Sequence, residues 1–164
     1  MSDNKLSLPL TDIENILPIL NKIAIFAGLS DAQLYSLFKI LQKVTYEKDE
    51  VIFKQGESPS HIYIIKSGTV KLYLEADHTM LELVEFTVGD CFGESSLIGI
   101  ESHTASAVAV EKTELIVLSS KALYSLYNTD KDAYIMIILN IAREVSRRLN
   151  KTDDILLHYV LSKQ

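Results

Sequence analysis

The sequence predicts a mainly β domain, an antiparallel roll or sandwich, with helices before and after it. The spacing of apolar residues changes from three and four to two near residue 43, and changes back near residue 120. Glycines and polar residues also interrupt the central stretch about every ten residues, which is typical of short antiparallel strands. With 164 residues, 48% of them hydrophobic, we expect one domain spanning residues 1–164.

The first block, residues 11–42, has the pattern of amphipathic helices. Its apolar residues recur three and four positions apart, and they are Ile13, Ile16, Leu17, Leu20, Leu34, Leu37, Phe38 and Leu41. Gly28 interrupts the pattern, and Ser30 followed by Asp31 is typical of a helix N-cap. We therefore expect the second helix of this block to begin after Ser30.

The central block, residues 43–119, has the alternation of β-strands. In TVKLYLEA, Val70, Leu72 and Leu74 fall on one face and the intervening Lys71 and Tyr73 on the other. The stretch ELIVLS, from residue 114, is apolar on both faces and predicts a strand buried on both sides.

The last block, residues 120–160, is helical again, with a short helix ending near Tyr127 and a long one from Asp130. The long helix carries a heptad seam formed by Ile135, Ile138, Ala142, Val145, Leu149, Thr152, Leu156 and Tyr159. A second stripe, Ile137 and Ile141, lies only near its start, so we expect the helix to pack on the β block and then continue as a coiled coil. The sequence thus predicts a homodimer through residues 130–159. A helix packed only on its own domain is the alternative.

Composition excludes several classes of function. A net charge of −6 argues against a nucleic-acid surface, and no helix-turn-helix follows the long helix, so we expect no direct DNA binding. The one cysteine, Cys91, cannot form an internal disulfide and is interpreted as a packing residue rather than a redox sensor. The start MSDNKLSLPL lacks a signal-peptide core, and the apolar stretch 133–142 is too short to span a bilayer. A cytoplasmic protein without membrane contact is expected.

The sequence offers no catalytic or metal-binding constellation. The four histidines, His61, His78, His103 and His158, are scattered, without cysteine or carboxylate at ligand spacing. No G-x-S-x-G or nucleophile–base–acid set is present, so we expect no enzyme activity. His78 lies in a predicted hairpin turn, and haem binding through it is a further possibility that an absorption spectrum would test.

The stretch GDCFGESSLIGIESHTASAVA, residues 89–109, carries the pattern of a binding loop. Gly89 and Gly93 permit backbone conformations that other residues avoid, and residues 94–98 then begin a short helix whose free N–H groups could meet a phosphate. Glu94 would repel that phosphate, so it needs a different donor, such as a sugar hydroxyl. A nucleotide fits both requirements, and a purely structural turn is the alternative.

Taken in order, several stretches resemble the cyclic-nucleotide-binding domain family, which includes the catabolite activator protein and the regulatory subunits of cyclic-AMP-dependent kinase. They are IFAGLSDAQLYSLFKIL, DEVIFKQGE, IYIIKSGTVKLY, FGESSLIG and HTASAVA. The resemblance covers nearly the whole chain. It implies an antiparallel β-roll (a double-stranded, jelly-roll-like β-helix) with a phosphate-binding cassette at residues 89–106.

The resemblance also implies roles for individual residues. Glu94 would accept from the ribose 2′-OH, and the N–H groups of residues 93–96 would meet the cyclic phosphate. In SRRLNKTDD, from Ser146, Arg148, Thr152 and Asp153 would lie nearest the base, although a solvated basic face is the alternative there. The implied ligand-binding residues are Phe92, Gly93, Glu94, Ser95, Ser96, His103, Thr104, Ala105, Arg148 and Thr152.

His103 stands where the kinase-type pattern of the family has an arginine that pairs with the phosphate. Histidine lacks the bidentate fork of arginine and has less reach. Three interpretations remain open: His103 binds the phosphate as an imidazolium, another cation replaces it, or the pocket no longer binds cyclic nucleotides.

The sequence therefore predicts a non-catalytic regulatory module that binds a cyclic nucleotide, cAMP in preference to cGMP, and signals through a dimerising C-terminal helix to an unknown downstream protein. No metal is expected. The alternative is a degenerate cyclic-nucleotide-binding fold that acts as a ligand-free dimerisation or protein-interaction module.

Overall fold

The structure, a computed structural model, describes residues 5–76 and 79–162. Its architecture confirms the predicted fold class: antiparallel β-sheets form a roll that is flanked by helices, the last of them long. The strands are β1 (Leu8–Pro9), β2 (Gln42–Tyr46), β3 (Val51–Phe53), β4 (His61–Ser67), β5 (Val70–Ala76), β6 (Thr79–Phe86), β7 (Cys91–Phe92), β8 (Ser106–Ala109) and β9 (Thr113–Ser119).

The strands form two sheets whose paired strands are all antiparallel. One sheet has the order β1-β2-β9-β4-β7 and the other the order β3-β8-β5-β6. Apolar side chains from both sheets, including Val70 and Leu115, form a cluster between them. This cluster is the interior of the roll.

The helices lie at both ends of the chain and beside the cassette. They are α1 (Ile13–Leu20), a 3₁₀ helix (Ala24–Phe26), α2 (Asp31–Phe38), α3 (Glu94–Gly99), α4 (Ser120–Thr129) and α5 (Lys131–Leu161). Ser30 caps α2 in a reciprocal capping box with Gln33, as the N-cap signal predicts. Gln42, placed with the helical block by its sequence pattern, begins β2 instead.

A second apolar cluster joins the helices to the outer face of the first sheet. Strand β9 contributes to both clusters: Leu115 and Val117 face the roll interior, and Ile116 and Leu118 face the helices. All four are buried, which confirms the predicted strand with two buried faces. The strand therefore ties the roll to the helical layer.

The turn between β4 and β5 requires glycine. Gly68 has a φ of +88°, and a Cβ placed there would lie 2.4 Å from Thr113 Oγ1. The hairpin can approach β9 this closely only because residue 68 has no side chain.

Helix α5 packs on its domain over its first half only. Ala133, Ile137 and Ile141 are buried, so the second stripe seen in the sequence is the docking face. Its main neighbours are the 3₁₀ helix and α4, so α5 docks mainly on the helical layer rather than on the β block that the sequence pattern predicted. Buried Asn140 fastens this half, because its side-chain amide donates to the carbonyl oxygens of Ile25 and Ala27 at 3.3 and 2.7 Å. From residue 149 to residue 161 every residue of α5 is exposed.

Candidate ligand-binding site

The predicted cassette is formed by β7, Gly93 and α3. Gly93 adopts the left-handed conformation, with a φ of +82°, and turns the chain from β7 into α3. A Cβ at this position would lie 3.0 Å from both the carbonyl oxygen of His61 and the ring of Tyr63 on β4. Glycine therefore lets the cassette turn lie directly on β4, and this contact fixes where the first residue of α3 points.

That first residue, Glu94, is completely buried. Its Oε1 accepts a hydrogen bond from Arg148 Nη1 at 2.6 Å. Its Oε2 has no hydrogen-bond partner among the residues that the structure describes. Burial raises the pKa of the Glu94 carboxyl, and the charge of Arg148 opposes that rise. A buried carboxylate oxygen without a donor is costly, so the site is suited to a donor such as a hydroxyl.

Arg148 connects the cassette to α5. Besides Glu94, its guanidinium donates to the carbonyl oxygen of Cys91 and, through Nε, to Glu144 Oε1 at 3.0 Å. Its Cζ lies 5.0 Å from the ring centre of Phe86 at the end of β6. One side chain thus joins the long helix, both sides of the cassette turn and the edge of the roll.

His103 lies inside the roll. It is 4% exposed, and its imidazole stacks on Phe53, with ring centres 3.7 Å apart and planes 10° from parallel. Its backbone is clamped to the turn after β3, because its N–H donates to Glu57 O at 2.9 Å and its carbonyl accepts from Gly56 at 2.8 Å. The ring position is therefore set by the β3 region as well as by the cassette.

Aromatic rings fill the interior of the roll next to the cassette. Phe53 lies 5.6 Å from Tyr63 and 6.0 Å from Phe92, and Phe92 lies 5.1 Å from Tyr63 and 5.6 Å from Phe86. Phe92, a predicted site residue, is 1% exposed within this cluster. Sequence reasoning did not select Phe53, Tyr63 or Phe86, although strand alternation could have placed all three facing inward.

The remaining predicted site residues differ in exposure. Ser95 and Thr104 are exposed, Ser96 is half-buried and Ala105 is buried. Thr152 is exposed on α5, and its hydroxyl donates to the carbonyl oxygen of Arg148 at 3.0 Å. The described contacts of the cassette with α5 therefore pass through Arg148 rather than Thr152.

A cavity of about 90 Å³ opens at another corner of the roll. It is lined by Lys5, Ser7, Val44, Tyr46, Ile52, His61, Tyr63 and Val117. Tyr63 is shared with the wall of the cassette, since its ring meets Gly93. None of the predicted site residues lines this cavity.

Cys91 is buried beneath the cassette turn. Burial, and then the nearby Glu94 carboxylate, raise the pKa of its thiol from 9.0 to about 12. A thiol so rarely ionised is a poor nucleophile, which agrees with the interpretation of Cys91 as a packing residue.

Two further features of the described residues bear on other classes of function. Within residues 5–76 and 79–162, no group of three or more His, Cys, Asp or Glu side chains is arranged to hold a metal ion. Over the same ranges, no helix has the length and apolar content needed to cross a membrane. His78, the candidate for haem contact, lies outside the described residues.

Comparison with known proteins identifies the family. Residues 43–130 match the family model described as "Cyclic nucleotide-binding domain", and this match covers more than half of the chain. The chain therefore belongs to the cyclic-nucleotide-binding domain family, as the sequence motifs predict. A cyclic nucleotide is accordingly the class of ligand that this fold is built to hold.

Individual relatives agree with this assignment. The Cyclic AMP receptor protein of Thermus thermophilus is 31% identical over 132 residues, which are 79% of this chain and 58% of that protein. The cGMP-dependent protein kinase egl-4 of Caenorhabditis briggsae is 31% identical over 96 residues, 57% of this chain and 13% of the kinase. The chain thus spans from about an eighth to somewhat over half of these relatives.

A solved structure shares the fold over most of its length. The crystal structure of a cyclic nucleotide-binding domain from Methylobacillus flagellatus has a TM-score of 0.79 and 25% identity to this chain. The match covers 88% of this chain and 82% of that one.

Proposed function

We propose that this domain is a non-catalytic regulatory module that binds a cyclic nucleotide, cAMP in preference to cGMP, and passes the signal to α5 in a homodimer. The observation that carries the proposal is the buried carboxylate of Glu94, which has one oxygen on Arg148 and the other without a donor. The preference for cAMP is supported by the similarity to the Cyclic AMP receptor protein over 79% of the chain.

In this proposal each part of the cassette meets one part of the ligand. The ribose 2′-OH donates to Glu94, and the N–H groups at the start of α3, from Gly93 to Ser96, meet the cyclic phosphate. Ser95 and Thr104, both exposed beside the turn, offer hydroxyls to the phosphate or to water bound on it. His103 is the candidate cation.

The same contacts give a route for the signal. Arg148 holds α5 to the cassette through Glu94, so a ligand that engages Glu94 changes the free energy of that contact. A ligand with different affinities for the held and released forms of α5 shifts the population between them. The expected output is a change in α5 and in its dimer, which a downstream protein would detect.

The experiment that tests this proposal is calorimetric titration of cAMP and cGMP at pH 6 and pH 8, with the wild type and a His103→Arg variant. Because histidine gains its proton over this range, an imidazolium anchor predicts tighter binding at pH 6, and arginine predicts tighter binding at both pH values. Loss of one charge-assisted hydrogen bond corresponds to about a ten- to hundred-fold change in affinity.

A matched control is His158→Arg, which makes the same change at an exposed position near the end of α5 and should leave binding unchanged. Binding by His103→Arg but not by the wild type would mean that the cassette is intact but that His103 does not anchor the phosphate. Absence of binding in both proteins would refute the proposal and favour the ligand-free interaction module.

A further inference from the structure

We propose that the cavity beside β1 is a second ligand site, which takes a short-chain monocarboxylate and is coupled to the cassette through β4. The cavity, of about 90 Å³, lies between the N-terminal segment and the strands β2, β3, β4 and β9. The site itself is independent of the cassette, whereas its effect on the cassette rests on the proposed function.

The inner wall of the cavity is apolar. Val44, Ile52 and Val117 are 6, 2 and 2% exposed, and they belong to the cluster inside the roll. The rings of Tyr46 and Tyr63 complete this wall. A buried water normally makes about three hydrogen bonds, so an apolar wall favours a hydrocarbon group over water.

The mouth of the cavity carries a cation. Lys5 is only partly buried, and its ammonium lies 4.4 Å from the ring centre of Tyr46 and pairs with Glu50. Of the eight described residues that line the cavity, none is an Asp or a Glu, so Glu50 lies outside it. An ammonium has three N–H donors, and Lys5 can therefore keep Glu50 and also donate to an anion in the mouth.

The other two partly buried lining residues are Ser7 and His61, and the structure gives each a neighbour of its own. The Ser7 hydroxyl donates to Gln42 Oε1 at 2.8 Å. His61 Nδ1 lies 2.7 Å from the hydroxyl oxygen of Ser60. Lys5 is therefore the group that selects the head of the ligand, and a carboxylate is the head that suits an ammonium.

The volume of the cavity limits the length of the ligand. A water molecule takes about 30 Å³ of the liquid and a methylene group is of similar size, so about 90 Å³ holds about three carbon atoms. With its carboxylate in the mouth beside Lys5, a ligand of this length is butyrate or a close homologue. A cyclic nucleotide is far too large, so the cavity and the cassette take different ligands.

Strand β4 joins the cavity to the cassette. His61 and Tyr63 line the cavity, and a Cβ at Gly93 would lie 3.0 Å from the carbonyl oxygen of His61 and from the Tyr63 ring. Tyr63 also stacks on Phe92, with ring centres 5.1 Å apart. A ligand that fills the cavity holds Tyr63 in the position on which the cassette turn rests. Its binding therefore favours ligand binding at the cassette, and by reciprocity cAMP favours butyrate by the same factor.

The test of the site is a titration of the full chain with sodium butyrate, followed by amide NMR chemical shifts, with sodium chloride at matched ionic strength as the reference. We expect saturable shifts in residues 5–7, 44–46 and 61–63. Each buried methylene changes an affinity about four-fold, so acetate, which is two methylenes shorter, should bind about fifteen-fold more weakly. Butylammonium, a chain of similar length with the opposite charge, should not bind.

Two variants test the mouth and the wall separately. Lys5→Met removes the ammonium and should weaken butyrate about ten-fold, whereas Lys48→Met, at an exposed position outside the cavity, should change it less than about two-fold. Val44→Ile combined with Val117→Ile adds two methyl groups to the wall and should abolish binding. Val51→Ile, the same change at a 37% exposed position, should not. The amide spectrum of each variant shows whether its fold is retained.

The coupling is tested by calorimetric titration of cAMP with and without saturating butyrate. We expect butyrate to raise the affinity of the wild type for cAMP about five-fold. In the variant with both valines replaced, butyrate should leave the affinity for cAMP unchanged.

The outcomes separate the site from its coupling. Shifts that do not saturate, equal responses to butyrate, acetate and butylammonium, or unchanged butyrate binding in Lys5→Met would overturn the site. Saturable butyrate binding with an unchanged or lower affinity for cAMP would show that the site exists and that the coupling is wrong. If cAMP does not bind, the coupling fails together with the proposed function, and the NMR titration still decides the site.

Discussion

Arg148 on α5 donates to the buried carboxylate of Glu94 across 2.6 Å, although the two residues are 54 positions apart in the chain. The residue that the family resemblance assigns to the ribose is thus already held by the helix assigned to dimerisation. A ligand that binds Glu94 would lie next to this ion pair, so we expect the site and the long helix to be energetically linked.

Removing Arg148 should destabilise the domain. Arg148→Met would leave Glu94 buried without its cation, and we expect the free energy of unfolding to fall by about 2–3 kcal/mol, less than for a fully buried pair because Arg148 is partly exposed. Urea denaturation measures this. The matched control is Arg147→Met, whose side chain is 65% exposed and should cost less than about 1 kcal/mol. Equal losses in the two variants would contradict the buried pair as a stabilising contact.

Glu94 should make stability fall as the pH rises. Burial raises the pKa of its carboxyl above the ordinary value of 4.5, so between these two pKa values the folded state binds more protons than the unfolded state. The contribution of Glu94 is therefore fully present below about pH 4.5 and is lost as the pH rises through the folded-state pKa.

The measurement is urea denaturation at pH 5 and pH 7. Between pH 7 and pH 5 the free energy of unfolding of the wild type should rise relative to that of Glu94→Gln, in which residue 94 does not titrate. Glu101→Gln, a change at an exposed position, should show the same pH dependence as the wild type. A stability difference between the wild type and Glu94→Gln that is independent of pH, or that changes in the opposite direction, would show that the Glu94 pKa is not raised.

Asn140 should hold the first half of α5 on the domain. Its buried amide satisfies the carbonyl oxygens of Ile25 and Ala27 at the end of the 3₁₀ helix, so Asn140→Ala leaves both without this donor. We expect a loss of about 1–3 kcal/mol and faster amide exchange in residues 131–144. Asn150→Ala, on the exposed part of the same helix, should change neither. An unchanged exchange rate in Asn140→Ala would refute the anchoring role.

Ile100 should be a position of backbone strain at the end of the cassette. It is 90% exposed and has a φ of +54°, the left-handed conformation that β-branched residues disfavour. Ile100→Gly should therefore stabilise the domain, by up to about 1 kcal/mol in thermal unfolding. Ile98→Gly makes the same change inside α3 and should destabilise by about 1 kcal/mol. A loss of stability in both variants would contradict the strain.

Much of the fold could be predicted from local patterns. The alternation of apolar and polar residues predicted the strands, and the apolar run of β9 predicted its two buried faces. The positions of Ile137 and Ile141 predicted which face of α5 is buried. These features depend on neighbours within one element, which is why the sequence carries them. The two-residue strand β1 was not predicted, because its strand pairing with β2 depends on a distant segment rather than on its own pattern.

The candidate site could be predicted only in its residue types. The motif placed Glu94 and His103 in the cassette, and the resemblance placed Arg148 near it. The structure shows that Glu94 binds Arg148 and that His103 stacks on Phe53. Both contacts join residues about 50 positions apart in the chain, and a local sequence pattern carries no information about such contacts. These long-range contacts decide how the site works.

Binding of Glu94 to the sugar of a cyclic nucleotide can be tested by comparing cAMP with its 2′-deoxy analogue in calorimetric titrations. The analogue lacks only the 2′-hydroxyl, which would donate a hydrogen bond to the Glu94 carboxylate. We predict that the wild type binds it about ten- to a hundred-fold more weakly than cAMP, and that Glu94→Gln reduces this difference to a few-fold. Equal affinities of the wild type for the two ligands would contradict the assignment of Glu94 and, with it, the link from ligand to α5.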